Sequence, residues 1–101
     1  MTIDPSLLIE RAQDVAIVLK QLSNKYRLMI LCSLIENELS VGELNELIPL
    51  SQSALSQHLA KLREANLVST RRESQTIYYW VEDPKINALL KALHQNYCDI
   101  D

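Results

Sequence analysis

Two groups of side chains in this sequence could do chemistry, and they differ in kind. One is a pair of thiols, Cys32 and Cys98. A thiolate is a nucleophile and a soft metal ligand. These two lie far apart in the chain, however, and match neither a C-x-x-C redox spacing nor a zinc-site spacing. By residue type alone they read first as buried packing cysteines, because free Cys is among the most buried side chains. Asp99 and Asp101 follow Cys98 and oppose its ionisation, as a helix C-terminus there would; Lys91 and His94 are the offsetting groups. His94 and Cys98 stand at an i, i+4 spacing, which can bring two ligands together. A metal site needs three or four, so neither a metal nor a cofactor is expected. The other group suits reading a surface rather than making bonds. Ser51, Gln52, Ser53, Ser56, Gln57 and Lys61 fall on one side of a helix with His58 at its flank, and Arg71, Arg72, Gln75 and Tyr78 follow in a hairpin. Ser and Gln donate and accept hydrogen bonds, and Gln can pair bidentately with adenine. Early hydroxyls and a helix N-terminus can hold a phosphate. A solvated polar face is the plainer alternative for the helix taken alone.

Composition narrows the classes. With 101 residues, 48% hydrophobic and 23% charged, the chain fits one packed domain spanning 1–101. A single glycine, Gly42, excludes the repeated glycines of nucleotide-binding loops. No Ser/His/Asp or Cys/His arrangement is legible, so an enzyme is not expected. The net charge of −3 hides its distribution, because residues 51–80 carry +2 between acidic flanks. No apolar run is long enough to span a membrane and the N-terminus lacks a signal-peptide layout. A cytoplasmic location is therefore expected, where a permanent disulfide is not the default.

The elements that must position these groups follow from periodicity and caps. Asp4-Pro5 opens a helix of about 5–22, with Leu8, Ala12, Val15, Leu19 and Leu22 at helical spacing. Ile9, Ala16, Ile17 and Val18 widen that stripe beyond the needs of one small core, which predicts a homodimer contact. Asn24 caps a second helix, about 25–37, whose stripe is Leu28, Leu31, Cys32 and Ile35. Ser40 and Glu43 form a capping box for a short helix to about Ile48, with Leu44, Leu47 and Ile48 apolar; Pro49 ends it. Ser51 caps the next helix to about Asn66, with Leu55, Leu59, Leu62 and Ala65 inward. The period then changes to two over Val68–Arg72 and Thr76–Val81, around a turn at Glu73-Ser74-Gln75: a β-hairpin. Asp83-Pro84 starts a final helix to about Cys98, with Ile86, Leu89, Leu90, Leu93 and Tyr97 as its stripe.

Two short helices joined by a tight turn, the second with exposed small polar side chains, make a helix-turn-helix, and the Arg-bearing hairpin supplies a wing. The fold class is mainly α with a β-hairpin, a winged helix-turn-helix in the order α-α-α-α-β-β-α, dimerised through its first and last helices. The segments Leu39-Ser-Val-Gly-Glu-Leu44, Leu50-Ser-Gln-Ser-Ala-Leu-Ser-Gln-His-Leu59 and Leu62-Arg-Glu-Ala-Asn-Leu-Val68 resemble ArsR-type winged-helix repressors, and the resemblance extends over essentially the whole chain. It implies a homodimer on a palindromic double-stranded operator, with no membrane partner.

The finer resemblance is to the thiol- and persulfide-sensing branch of that family. It implies that Cys32 and Cys98 are a switch, closed by reactive sulfur species or oxidants into a disulfide or a polysulfide bridge that releases DNA. Two further readings stay open: an ArsR-type repressor with a metal effector, and a dimeric thiol-containing adaptor without specific DNA binding. The places where metal-sensing members carry ligands hold no thiolate in 39–44 and only His94 with Cys98 and Asp99 in the last helix.

Overall fold

The computed structural model describes residues 2–98. Five helices carry a small antiparallel sheet: α1 (Pro5–Leu22), α2 (Lys25–Ser33), β1 (Leu39–Ser40), α3 (Val41–Leu47), α4 (Gln52–Glu64), β2 (Ser69–Glu73), β3 (Thr76–Trp80) and α5 (Pro84–Tyr97). The expected winged helix-turn-helix is therefore present.

Each helix starts where a short polar side chain can take its free N–H groups. Asp4 accepts from Ser6 N, Asn24 from Tyr26 N and Arg27 N, Ser51 from Ala54 N, and Asp83 from Lys85 N. The capping box of α3 is complete: Glu43 N donates to Ser40 Oγ at 3.1 Å and Ser40 N donates to Glu43 Oε1 at 2.9 Å. At the other end of α4 the chain leaves by a Schellman turn, with Asn66 N bonded to Arg63 O and Leu67 N to Leu62 O. Asn66 sits at φ 60°, and the other left-handed positions among the described residues are Glu36 (φ 55°) and Ser74 (φ 59°). A chain with one glycine must fill such turns with polar residues, of which Asn is the least strained.

Leu55, Leu59 and Leu62 of α4 are fully buried in one core with Ile30 and Leu31 of α2 and Leu34 just after it, Leu44 of α3 and Ile48 at its end, and Leu90 of α5. Tyr79 of the sheet and Val81, just beyond β3, close this core. Its order is β1-β3-β2, with Leu39 opposite Tyr79 and Ser40 opposite Tyr78 on one side. On the other side Arg71 pairs with Tyr78 and Arg72 with Ile77.

Three details depart from the sequence reading. The hairpin is joined by the short strand β1, which two residues could not announce by periodicity. Helix α2 ends at Ser33 rather than near 37, because Leu34, Ile35 and Asn37 bond three residues back and tighten the chain into the Glu36 turn. Leu47, expected to face the core, is 59% exposed, and Ile48 takes the inner position.

Helix α1 behaves as its two apolar faces predict. Within one chain only Leu22 is buried, while Leu7, Leu8, Val15 and Leu19 are exposed and Ile9 reaches 79%. Tyr97, at the end of the α5 stripe, is 77% exposed. No helix among the described residues is long and apolar enough to cross a membrane.

Candidate functional site

The polar face of α4 stands on its buried leucines. Positions Leu55, Leu59 and Leu62 anchor one side of the helix, so Gln52, Ser53, Ser56, Gln57 and Lys61 project from the other, all exposed. None of these side chains is hydrogen-bonded or ion-paired among the described residues, which leaves their donors and acceptors available. Ala60 lies among them and is also exposed; its methyl group gave no polar signal in the sequence. Ser51 is committed to capping through its acceptor lone pair at 3.2 Å from Ala54 N, but its hydroxyl hydrogen can still donate.

His58 is not on that outer row. It is half-buried at the seam with α2, its ring centroid 6.1 Å from that of Tyr26. Its Nδ1 is enclosed without a hydrogen-bond partner. Burial holds the imidazole below its ordinary pKa, and the charges of Arg27 and Lys61 push the same way. His58 is therefore a neutral packing group at neutral pH, with cations on either side.

The hairpin separates its two arginines by the alternation of a strand. Arg71 lies with Tyr78, its guanidinium carbon 4.5 Å from the ring centroid. It is also ion-paired with Glu38 and, at 3.0 Å, with Glu73. These carboxylates raise its pKa, Glu73 first. Arg71 and Tyr78 thus brace the wing against the segment before β1. Arg72 points to the opposite face, exposed and without an ion pair among the described residues. Gln75 is exposed in the turn.

The two cysteines, remote in sequence, lie on two helices that pack together, α2 and the end of α5. Cys32 is half-buried on α2, packed against the core, and Cys98 is exposed at the C-cap of α5, its N–H bonded to His94 O at 2.8 Å. Both thiols are free. Burial pushes the Cys32 thiol above the ordinary value, and the negative charge of a Cys98 thiolate adds to that, so the two are within electrostatic reach. The α2–α5 packing that places them is reinforced by an ion pair of Lys91 with Glu36, in the turn after α2. Asp99 and Asp101, weighed above against Cys98 ionisation, lie outside the described residues. Among the described residues no group of three or more His, Cys, Asp or Glu is placed to hold a metal ion.

The sequence pattern of the arsR family of bacterial regulatory proteins matches residues 24–70, from the cap of α2 into β2. The transcriptional activator HlyU of Vibrio cholerae is 52% identical over 82 residues, which cover 81% of this chain and 76% of that protein. The structure of reduced HlyU from the same organism superposes with a TM-score of 0.87 at 47% identity, covering 91% of this chain and 97% of that one. The crystal structure of the transcriptional repressor BigR from Xylella fastidiosa gives 0.88 at 41% identity, covering 97% and 100%. These relatives are transcription regulators, not enzymes. The chain belongs to the arsR family of winged-helix transcriptional regulators.

Proposed function

We propose that this regulator is a homodimeric repressor that binds a palindromic operator in the cytoplasm when its thiols are reduced and releases it when Cys32 and Cys98 are bridged. The observation that carries the reading is that the two thiols, one on α2 and one at the end of α5, lie within electrostatic reach of each other. That one related structure is of HlyU in a reduced form supports a redox role. Base edges would be met by Gln52, Ser53, Ser56 and Gln57, and phosphates by Ser51, Lys61, Arg72 and Gln75.

With a low-molecular-weight persulfide, RSSH, the chemistry balances without another oxidant. One cysteine thiolate attacks the outer sulfur of RSSH, forming a protein persulfide and releasing RSH. The second thiolate then attacks the sulfur bonded to the protein and expels hydrogen sulfide. Two protein thiols are oxidised to a disulfide and the sulfane sulfur is reduced to sulfide. A direct disulfide needs Cα atoms within about 7 Å. An inserted sulfur relaxes that demand and takes a second RSSH, which turns the other thiol into a persulfide too. One persulfide then attacks the other's protein-bound sulfur, expels hydrogen sulfide and leaves a trisulfide. Either bridge ties α2 to α5 and so links the core under α4 to the dimer helices. The spacing of the two recognition helices must match half-sites about 34 Å apart, so a small rotation weakens binding.

The test pairs mass spectrometry with a gel shift after persulfide, peroxide and glutathione disulfide treatment. Cys32→Ser and Cys98→Ser are expected to retain operator affinity within about twofold and lose at least tenfold of the inducer response, a difference of about 1.4 kcal/mol or more. The mass spectrum separates a direct disulfide from an inserted sulfur. Full induction of the Cys32→Ser variant would overturn the switch. The half-buried Cys32, its thiol pushed up by burial, should also be alkylated more slowly than the exposed Cys98 at neutral pH, and its rate should climb as pH rises toward its own ionisation.

A further inference from the structure

The recognition face of α4 continues beyond its expected edge. At about 100° per residue, Lys61 lies about 40° around the helix from Gln57, and His58 about 60° further in the same direction. His58 meets Tyr26, and on that side stand Lys25 and Arg27 at the start of α2. The Nζ of Lys25 lies 5.2 Å from the Tyr26 ring centroid. Arg27 acts on His58 from the α2 side and Lys61 from the α4 side. Arg27 Nε donates to Gln21 O at 2.9 Å, which fixes the root of its guanidinium and leaves the two terminal nitrogens without a partner among the described residues. Neither Lys25, Arg27 nor Lys61 is in an ion pair with a carboxylate among the described residues, in contrast to Arg71 and Lys91. Arg27 and Lys61 thus flank the half-buried His58 and Lys25 stands over the neighbouring Tyr26 ring, so like charges gather here with no carboxylate paired to them, and an anion would relieve their repulsion.

We propose that Lys25 and Arg27, with Lys61, form a phosphate-binding corner that grips the DNA backbone beside each half-site, separate from the wing and from the base-reading row. This rests on the operator-binding reading of α4. The partner chemistry is a nucleic-acid backbone: closely spaced monoanions running past the edge of the recognition helix, which a planar guanidinium and an ammonium can bind together. The packing of His58 on Tyr26 sets the spacing of the corner, because it joins the helix that carries Lys61 to the one that carries Lys25 and Arg27. Lys25 and Arg27 in each of two subunits, added to Lys61, make the corner a substantial part of the salt-dependent binding.

The test measures operator affinity against salt concentration for the intact protein, Lys25→Gln, Arg27→Gln and the double variant, using operator DNA and a scrambled duplex. Each phosphate contact contributes roughly 0.9 to the slope of log K against log salt. In a dimer the double variant is expected to flatten the slope by about 3 to 4 and to weaken both duplexes alike. An unchanged slope with normal affinity would overturn the corner while leaving operator binding intact. Failure of the intact protein to prefer the operator would instead overturn the underlying reading. Lys25→Gln guards against a folding artefact, since Lys25 is exposed and only Arg27 is bonded to the backbone of α1. Sedimentation separates the remaining occupant: if Lys25→Gln splits the dimer, the corner binds a second copy and the proposal fails.

Discussion

Helices α1 and α4 are both amphipathic and both begin on a polar cap, yet they end in opposite states. Helix α4 buries Leu55, Leu59 and Leu62 completely and presents its amides and hydroxyls to solvent. Helix α1 has the richer supply of large aliphatic side chains and buries only Leu22. One helix is satisfied within its own chain and the other is not. The apolar surface of α1 is continued by a groove between α1 and α5, lined by Val15, Val18, Ile86 and Leu89 and edged by Arg11, Asp14, Asp83 and Lys85. The contrast teaches where each helix finds its stability. The position of α4 is set by the fold of one subunit, whereas α1 depends on what covers it.

The sharpest way to break that contrast is to charge the open face of α1. Leu8→Glu removes an apolar side chain that is worth about 1.5–3 kcal/mol when buried, and two-fold symmetry counts it twice. The dimer dissociation constant should therefore rise by roughly two to four orders of magnitude, measured by sedimentation over a concentration series, with helix content of the rest of the chain retained. A variant that remains dimeric at the lowest concentrations would show that α1 is not the contact. Next in size is Leu59→Ala on the inner face of α4, expected to cost about 2–5 kcal/mol through the cavity it leaves. Its denaturation midpoint should fall at every protein concentration, whereas that of Leu8→Glu should differ from the unmodified protein in its concentration dependence.

The same contrast explains what could be read from the sequence. The α4 stripe, the Ser40–Glu43 box and the Asp83-Pro84 start are local patterns, and local patterns survive folding when the core supports them. The alternation of the hairpin was equally legible. Missing were the relations between distant residues. Glu38 and Arg71 become a brace only because β1 joins the hairpin, so two arginines that read alike in the sequence differ in the fold: Arg71 is ion-paired within the wing while Arg72 remains free of ion pairs among the described residues. Arg27, with Lys25 beside it, gave no signal as a partner of α4 because only the seam of His58 with Tyr26 brings that end of α2 there. The thiol pair was suggested by family resemblance, not by spacing; its proximity depends on how α5 returns across α2.

The smallest expected effects compare the two helices at the same chemical feature. Ser51 caps α4 and Asp4 caps α1, each accepting one backbone N–H, at 3.2 Å and 2.9 Å. Loss of an N-cap costs about 1 kcal/mol where the helix end is tied to the core. Ser51→Ala should cost that amount, because Leu55 is fully buried in the next turn and fraying would expose it. Asp4→Ala should cost less than about 0.5 kcal/mol in the Leu8→Glu monomer, since the first turns of α1 can open without disturbing the core. Where α1 is the dimer contact, those turns are covered in the unmodified protein and the two costs should converge. Denaturant titration of both cap variants in both backgrounds reads the difference directly. Equal costs already in the monomer would mean that α1 is held within its own subunit, and that its exposed leucines have a purpose other than association.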